Sequence, residues 1–203
     1  IYRTTIQRID YSSDTSTAAQ KGNLATNARE SSGTGNQSFG YYAGGTTHPF
    51  ARISTVQRVD YSNDTATAAV KGPLSDAHRR FVGGAGNADF GYFMGGYNAI
   101  PGGNTWVTIV DRVDYSNDTA TASPKGPLTT ARGAACATGD QSFGYVGGSE
   151  GNNNENMSSL ERVDYSNDTA TAVVRGPLIY SLRNSSASSS KQNANPVQSL
   201  QPA

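Results

Sequence analysis

Arg112-Val113-Asp114-Tyr115-Ser116-Asn117-Asp118-Thr119-Ala120-Thr121-Ala122 decides how this chain is built. The same string stands unchanged at Arg58–Ala68 and Arg162–Ala172, and as a variant at Arg8–Ala18. Its first aspartates, Asp10, Asp60, Asp114 and Asp164, lie 50, 54 and 50 residues apart. Two further motifs keep the same phase. Phe-Gly-Tyr followed by Gly-Gly occupies Phe39–Gly45, Phe90–Gly96 and Phe143–Gly148. Lys/Arg-Gly-Pro-Leu stands at Lys71–Leu74, Lys125–Leu128 and Arg175–Leu178, with Lys21-Gly22-Asn23-Leu24 as its weaker copy. Self-similarity at a period near fifty residues marks a repeat architecture.

Each unit divides into four short strands. The first is the small-residue stretch after Pro-Leu, such as Ala131–Thr138, and a Gly-Asn or Gly-Asp turn ends it. The second is aromatic, Phe143–Val146, closed by Gly147-Gly148. The third is Leu160–Tyr165, with the Ser166–Asp168 tip turning the chain. The fourth is Thr169–Val174, and Gly176-Pro177 closes it because proline cannot donate to a ladder. No stretch carries helical apolar spacing, so the class is all-β. Apolar residues fall on both faces of the third strand, so a lone sheet would leave one face wet. Four-stranded blades stacked around an axis cover both faces and leave few free edges. A β-solenoid, whose coils repeat at shorter intervals, is the competing array.

Composition agrees with this class and excludes others. Apolar residues make up 35% and charged ones 16%, sixteen acidic against sixteen basic. Disorder pairs low hydrophobicity with high net charge, and here the net charge is zero. A neutral chain without a Lys/Arg cluster lacks the footprint that nucleic acid requires. No apolar run is long enough to span a bilayer. The sequence opens on Ile1 rather than Met, as a processed product or an excerpt would. Cys136 is the single cysteine and stands among small residues, where a buried thiol is expected.

At these residues the chain resembles the kelch family. The shared features are Gly-Gly after the second strand, a tyrosine late in the third and Pro-Leu after the fourth. It departs from that pattern in the fourth strand, where Thr-Ala-Thr-Ala replaces the usual tryptophan. The resemblance implies a kelch-like β-propeller of four-stranded blades over residues 1–190, with units joined near 21–24, 71–74, 125–128 and 175–178. The chain opens on the third and fourth strands of one unit and ends on a first strand, Leu182–Ser190. It therefore closes as four blades with shared termini, or forms part of a larger ring completed by other repeats or other chains. Pro196–Gln201 is the one candidate for the missing second strand, and 191–203 reads as a polar tail. The repeated string is also similar to repeats in large structural and tail-associated proteins of marine cyanobacterial phages. That similarity implies a virion component.

No catalytic residue, cofactor or metal is expected. His48, His78 and Cys136 fall at unrelated repeat positions and make no ligand set. Asp114, Asn117 and Asp118 lack the spacing of a calcium loop, and turn chemistry accounts for them. Arg8/Asp10, Arg58/Asp60, Arg112/Asp114 and Arg162/Asp164 share a strand face in every unit, which suits a structural ladder of ion pairs between blades. The loops between second and third strands, 46–54, 97–108 and 149–159, differ in length and content while the strands stay fixed. They carry His48, Phe50, Tyr97, Asn98, Trp106, Asn152, Asn153, Asn154 and Glu155, candidates for binding on one face of a rigid scaffold.

The expectation is a non-enzymatic virion structural or adhesion module. Its partners would be other virion proteins, copies of itself, or a host-surface glycan or protein, with neither nucleic acid nor membrane insertion. The alternative is a carbohydrate-binding or carbohydrate-processing domain of a secreted or cell-surface bacterial protein.

Overall fold

The computed structural model describes residues 3–13, 15–76, 79–100 and 103–189. The chain opens with an antiparallel pair, β1 (Thr5–Arg8) and β2 (Ala19–Asn23). Three antiparallel four-stranded sheets follow, one per repeat. The first contains β3 (Ser32–Gly35) and β4 (Phe39–Ala43). A small hairpin, β5 (Thr46–Thr47) and β6 (Ala51–Arg52), leads from these to β7 (Val56–Asp60) and β8 (Ala69–Lys71). The second is entered through β9 (Arg79–Arg80) and runs β10 (Gly83–Gly86) and β11 (Phe90–Met94). Its hairpin is β12 (Tyr97–Ile100) and β13 (Gly103–Trp106), and β14 (Val110–Asp114) and β15 (Ser123–Pro124) complete it. The third is β16 (Cys136–Gly139), β17 (Phe143–Glu150), β18 (Asn156–Asp164) and β19 (Val173–Arg175).

The sheets lie face to face and share an inner edge, with β10 beside both β3 and β16. Both faces of the middle sheet are therefore covered. Phe93 and Val113 pack with Tyr41, Val56 and Leu74 of the preceding unit, while Tyr92, Met94 and Val110 pack with Val146, Val163 and Leu128 of the following one. Alternate residues of one strand point to opposite sides, so each sheet feeds two cores. The units also join by backbone bonds near the shared edge. Phe81 N donates to Glu30 O (2.8 Å), Ala134 N to Phe81 O (3.1 Å) and Asn184 N to Ala134 O (2.8 Å). Glu30, Phe81, Ala134 and Asn184 all take positive φ, at 64, 58, 50 and 54°, so the same sharp entry bend recurs four times.

Several boundaries differ from the sequence reading. The first strand starts at Cys136 rather than Ala131, because the preceding residues form the entry segment. The fourth strand is only Val173–Arg175; Thr169–Ala172 is turn and irregular chain. Tyr165 leaves the third strand to begin a 3-10 turn, Tyr165–Asn167, which repeats at Tyr61–Asn63 and Tyr115–Asn117. Leu182 forms only an isolated bridge to Met157, and residues 183–189 form no strand. The proposed strand at 196–201 and the tail 191–203 lie outside the described residues. Among the described residues no bond joins Asn184 to Glu30, so the bend-to-bend series is open between them.

Candidate functional site

Opposite the 3-10 turns, the three variable segments form hairpins on one face. Each hairpin bonds back to the entry segment of its own sheet: Thr46 to Arg29, Tyr97 and Asn98 to Arg80 and Arg79, Glu150 to Gly133. The corner where a hairpin leaves the sheet needs the Gly-Gly pair. Gly44 and Gly45 take φ of 68 and 106°, and Gly95 and Gly96 take 67 and 113°. The second glycine of each pair donates to the next entry arginine, Gly45 N to Arg79 O and Gly96 N to Arg132 O, both at 2.8 Å. A Cβ on Gly95 would stand 2.4 Å from that Arg132 oxygen, so the junction is closed to side chains.

The hairpins are stitched to one another. Arg52 lies over the Tyr97 ring at 5.1 Å, and Arg80 covers the same ring at 5.0 Å. Tyr97 meets Trp106 edge-on at 4.6 Å, and Trp106 tilts against Phe81 at 6.2 Å. Asn152 Oδ1 then accepts from Trp106 N and Thr105 Oγ1, both at 2.9 Å, which links the second hairpin to the third. Glu30 gathers the start of this seam, accepting from Arg80 (2.9 Å) and Thr46 Oγ1 (3.0 Å). Burial pushes the Arg52 guanidinium below its ordinary value, with repulsion from Arg80 adding to it.

This geometry divides the candidate residues. Trp106 is only 8% exposed and cannot stack on a ligand, because its ring fills the space over Gly133. Asn98 is buried and donates to Asp76, and Tyr97 is held between two arginines. These three, expected as binding candidates, take part in the contacts of the scaffold instead. Asn152 is exposed but spends its side-chain oxygen on the seam. Exposed tips remain at His48 and Phe50, the latter 74% exposed, and at Asn153, Asn154 and Glu155. His78 lies outside the described residues.

Beside the seam opens a cavity of about 470 Å³ along the inner strands, lined among others by Glu30, Ser32, Phe81, Cys136 and Asn184. Cys136 is half-buried rather than fully buried, and its thiol donates to Gly147 O at 3.3 Å. Among the described residues no group of His, Cys, Asp and Glu is placed to hold a metal ion.

The ion-pair ladder between units uses different acids from those expected. Arg8, Arg58 and Arg112 bond at 2.7 Å to Asp64, Asp118 and Asp168, the second aspartate of the next unit's string. Lys21, Lys71 and Lys125 reach the same three carboxylates. Asp10, Asp60, Asp114 and Asp164 instead cap their own turns, each accepting from the serine two residues on. Those bonds stabilise the carboxylates and hold all four pKa values below the usual range. Arg162 meets no acid among the described residues and lies over its own Phe143. Tyr41 and Tyr92 complete the junctions: each donates at 2.9 Å to the shared aspartate and stacks at 4.5 Å on Tyr115 or Tyr165. Burial, with the aspartate beside it, raises the pKa of each phenol.

Sequence reasoning missed two buried ion pairs, Arg79–Asp111 (2.5 Å) and Arg132–Glu161 (2.6 Å). Each ties an entry segment to a third strand. The signal was present: the residue before the repeated arginine reads Gln7, Gln57, Asp111 and Glu161 while its neighbours hardly change.

No protein-family model matches the chain, and no curated protein matches its sequence. Among solved structures it is similar to one titled "Structure of YjhT", at 12% identity with a TM-score of 0.71. The match covers 85% of this chain and 52% of that one, so the chain spans about half the length of the structure it matches. At that identity the likeness shows a shared fold and nothing of activity.

Proposed function

We propose that the chain is a run of kelch-like propeller blades that works without catalysis, presenting its hairpin tips to a binding partner. The setting that suits it best is a virion structural or adhesion module, with a host-surface or protein partner. One observation carries this reading: the turn face repeats nearly residue for residue, whereas the opposite face varies from unit to unit above a base whose contacts hold the hairpins in place. Hairpin strands there run from two residues in β5 to eight and nine in β17 and β18. His48, Phe50 and Asn153–Glu155 stand at exposed tips beyond those bases, with Arg29 lying over the Phe50 ring at 5.5 Å. A rigid base with divergent tips is the arrangement in which loop variation changes specificity without disturbing the fold.

Binding to intact host cells and to a glycan array, read for the parent chain and for tip variants, tests the proposal. Phe50→Ser with His48→Ala, or Asn153→Ala with Glu155→Ala, is expected to lower binding at least about tenfold with an unchanged thermal midpoint. Binding that ignores both pairs would overturn the tip reading. Turnover of any glycan would instead favour the carbohydrate-processing alternative. Trp106→Ala is not a binding probe, since removing a buried ring destabilises the fold.

A further inference from the structure

Three junctions between successive units share one set of contacts. A Cβ on Gly22, Gly72 or Gly126 would lie 2.0, 1.8 and 1.9 Å from the carbonyl oxygens of Ala66, Ala120 and Ala170 in the next unit. The same glycines donate to Asp64, Asp118 and Asp168 oxygens at 2.7, 2.8 and 2.8 Å. Leu74 and Leu128, two residues on, are each 2% exposed. Such contact permits only glycine, which explains its recurrence at these places.

Among the described residues, the last unit keeps every one of these residues with no following unit against them. Gly176 has no atom within 4 Å of a Cβ position and does not take positive φ, so nothing in its own unit requires glycine. Arg175 is exposed where Lys71 and Lys125 are paired, and Leu178 is half-exposed where Leu74 and Leu128 are covered. Tyr145 holds the place of Tyr41 and Tyr92, and Arg162 the place of Arg58 and Arg112, without a stacked tyrosine or an aspartate. The first strand pair shows the converse half. Tyr11, at the position of Tyr115 and Tyr165, is 92% exposed. The pair is anchored at the other end of the arc by the Arg8–Asp64 and Lys21–Asp64 ion pairs, so it does not reach β19 of its own chain.

We infer that the outer face of the last unit, at Tyr145, Arg162, Gly176 and Leu178, is a docking surface for the β1–β2 pair of a second copy of this chain. Two chains then close one ring head to tail through two equivalent junctions. Tyr11 of one copy lies on Tyr145 of the other, and the Ser16 carbonyl faces Gly176, as the register of the three existing junctions dictates. The size of the ring favours a second copy over self-closure. The fold match covers 52% of the other chain, so two arcs of this length, not one, account for a fold of that size. The inference goes beyond the proposed function, because it concerns the sides of the units and not the hairpin tips.

Light scattering on the full chain, over a concentration series, tests this. The expected species has twice the 21.3 kDa chain mass. Gly176→Val adds a side chain where the single chain has open space. It is expected to leave the circular dichroism and thermal unfolding unchanged while weakening dimerisation at least a hundredfold. Tyr11→Ala, on a fully exposed ring, should weaken it about tenfold. Mixing the two variants should restore a two-chain species through the one junction that keeps both intact halves. A single-chain mass at all concentrations overturns the inference, whether the chain's own strand pair or further repeats of a longer polypeptide fill the edge. A dimer indifferent to Gly176→Val overturns it equally.

Discussion

The entry to the first sheet and the entry to the second perform one task with different chemistry. In the first, Gln57 accepts from Thr26 N at 2.7 Å and donates to Thr26 O at 3.1 Å, and the residue preceding the bend by two is Ala28. In the second, Asp111 accepts from Ser75 N and Oγ and from Arg79, whose guanidinium also bonds the carbonyls of Phe93, Gly95 and Ile109. The third sheet repeats the ionic version, with Glu161 accepting from Thr129 N, Thr130 N and Arg132. Charge enters in pairs: an arginine stands two residues before the bend only where an acid stands in the strand. The constant element is the capped entry backbone. The ion pair is added where a guanidinium reaches across to the hairpin corner, so the base of the second hairpin is held by the same group that fixes the entry.

The largest effect that would expose this difference is Asp111→Ala. It removes the ion-pair partner of fully buried Arg79 and leaves only the charge of Asp76 acting on it, while burial already pushes that guanidinium's pKa down. Breaking a buried pair from one side costs about 3–5 kcal/mol, read as a shift in urea midpoint. Adding Arg79→Ala and changing position 111 to Gln rebuilds the neutral version of the first entry. That double variant is expected to recover about half of the loss, because the uncompensated charge is gone. If the double variant is no better than Asp111→Ala, charge pairing is not what links the two positions. Gln57→Ala, the matching change in the first sheet, removes two hydrogen bonds and no charge, so about 1–2 kcal/mol is expected. Equal losses from Asp111→Ala and Gln57→Ala would erase the distinction.

The junctions supply the control, since they do not differ between sheets. Tyr41→Phe and Tyr92→Phe each remove one bond to an aspartate that keeps its Arg and Lys partners. Each should cost about 1 kcal/mol, and the two costs should agree, as thermal unfolding of the paired variants would show. A large disparity would mean that the identical strings are not energetically identical.

How far the sequence reveals all this depends on whether a contact stays within one repeat. The four-stranded order, the Gly-Gly corners and the capped Asp-Tyr-Ser turns are local, and their residues announce them. Thr169–Ala172 misled because Thr-Ala alternation resembles a strand. Its small side chains serve contact instead: the carbonyl of Ala170 sits over Gly126 of the preceding unit. The ladder misled for a related reason. Both aspartates recur in every unit at fixed offsets from its arginine, and only folding shows that Asp114 is occupied by Ser116 while Asp118 reaches back to Arg58. Trp106 and Tyr97, aromatic residues in a variable segment, read as candidates for binding until neighbouring hairpins are placed around them.

The smallest effect is expected at the turn face, where all units agree. Hydrogen bonds from Ser12, Ser62, Ser116 and Ser166 hold the carboxylates of Asp10, Asp60, Asp114 and Asp164 below their usual range. A carboxylate with a lowered folded pKa favours the folded state above its unfolded value, near ~3.9, and that contribution disappears as pH falls through the folded value. The urea midpoint should therefore be insensitive to these groups from neutrality down to about pH 5 and decline below about pH 4. Ser62→Ala and Ser116→Ala each remove the leading cause of one shift, so each should flatten the acid decline by the same increment. Because these caps are exposed and solvent screens them, the increment is small beside the loss from Asp111→Ala. Its equality across units is the informative quantity. A decline that responds to Ser116→Ala but not to Ser62→Ala would show that the turn face, like the entries, has diverged in energy while staying constant in sequence.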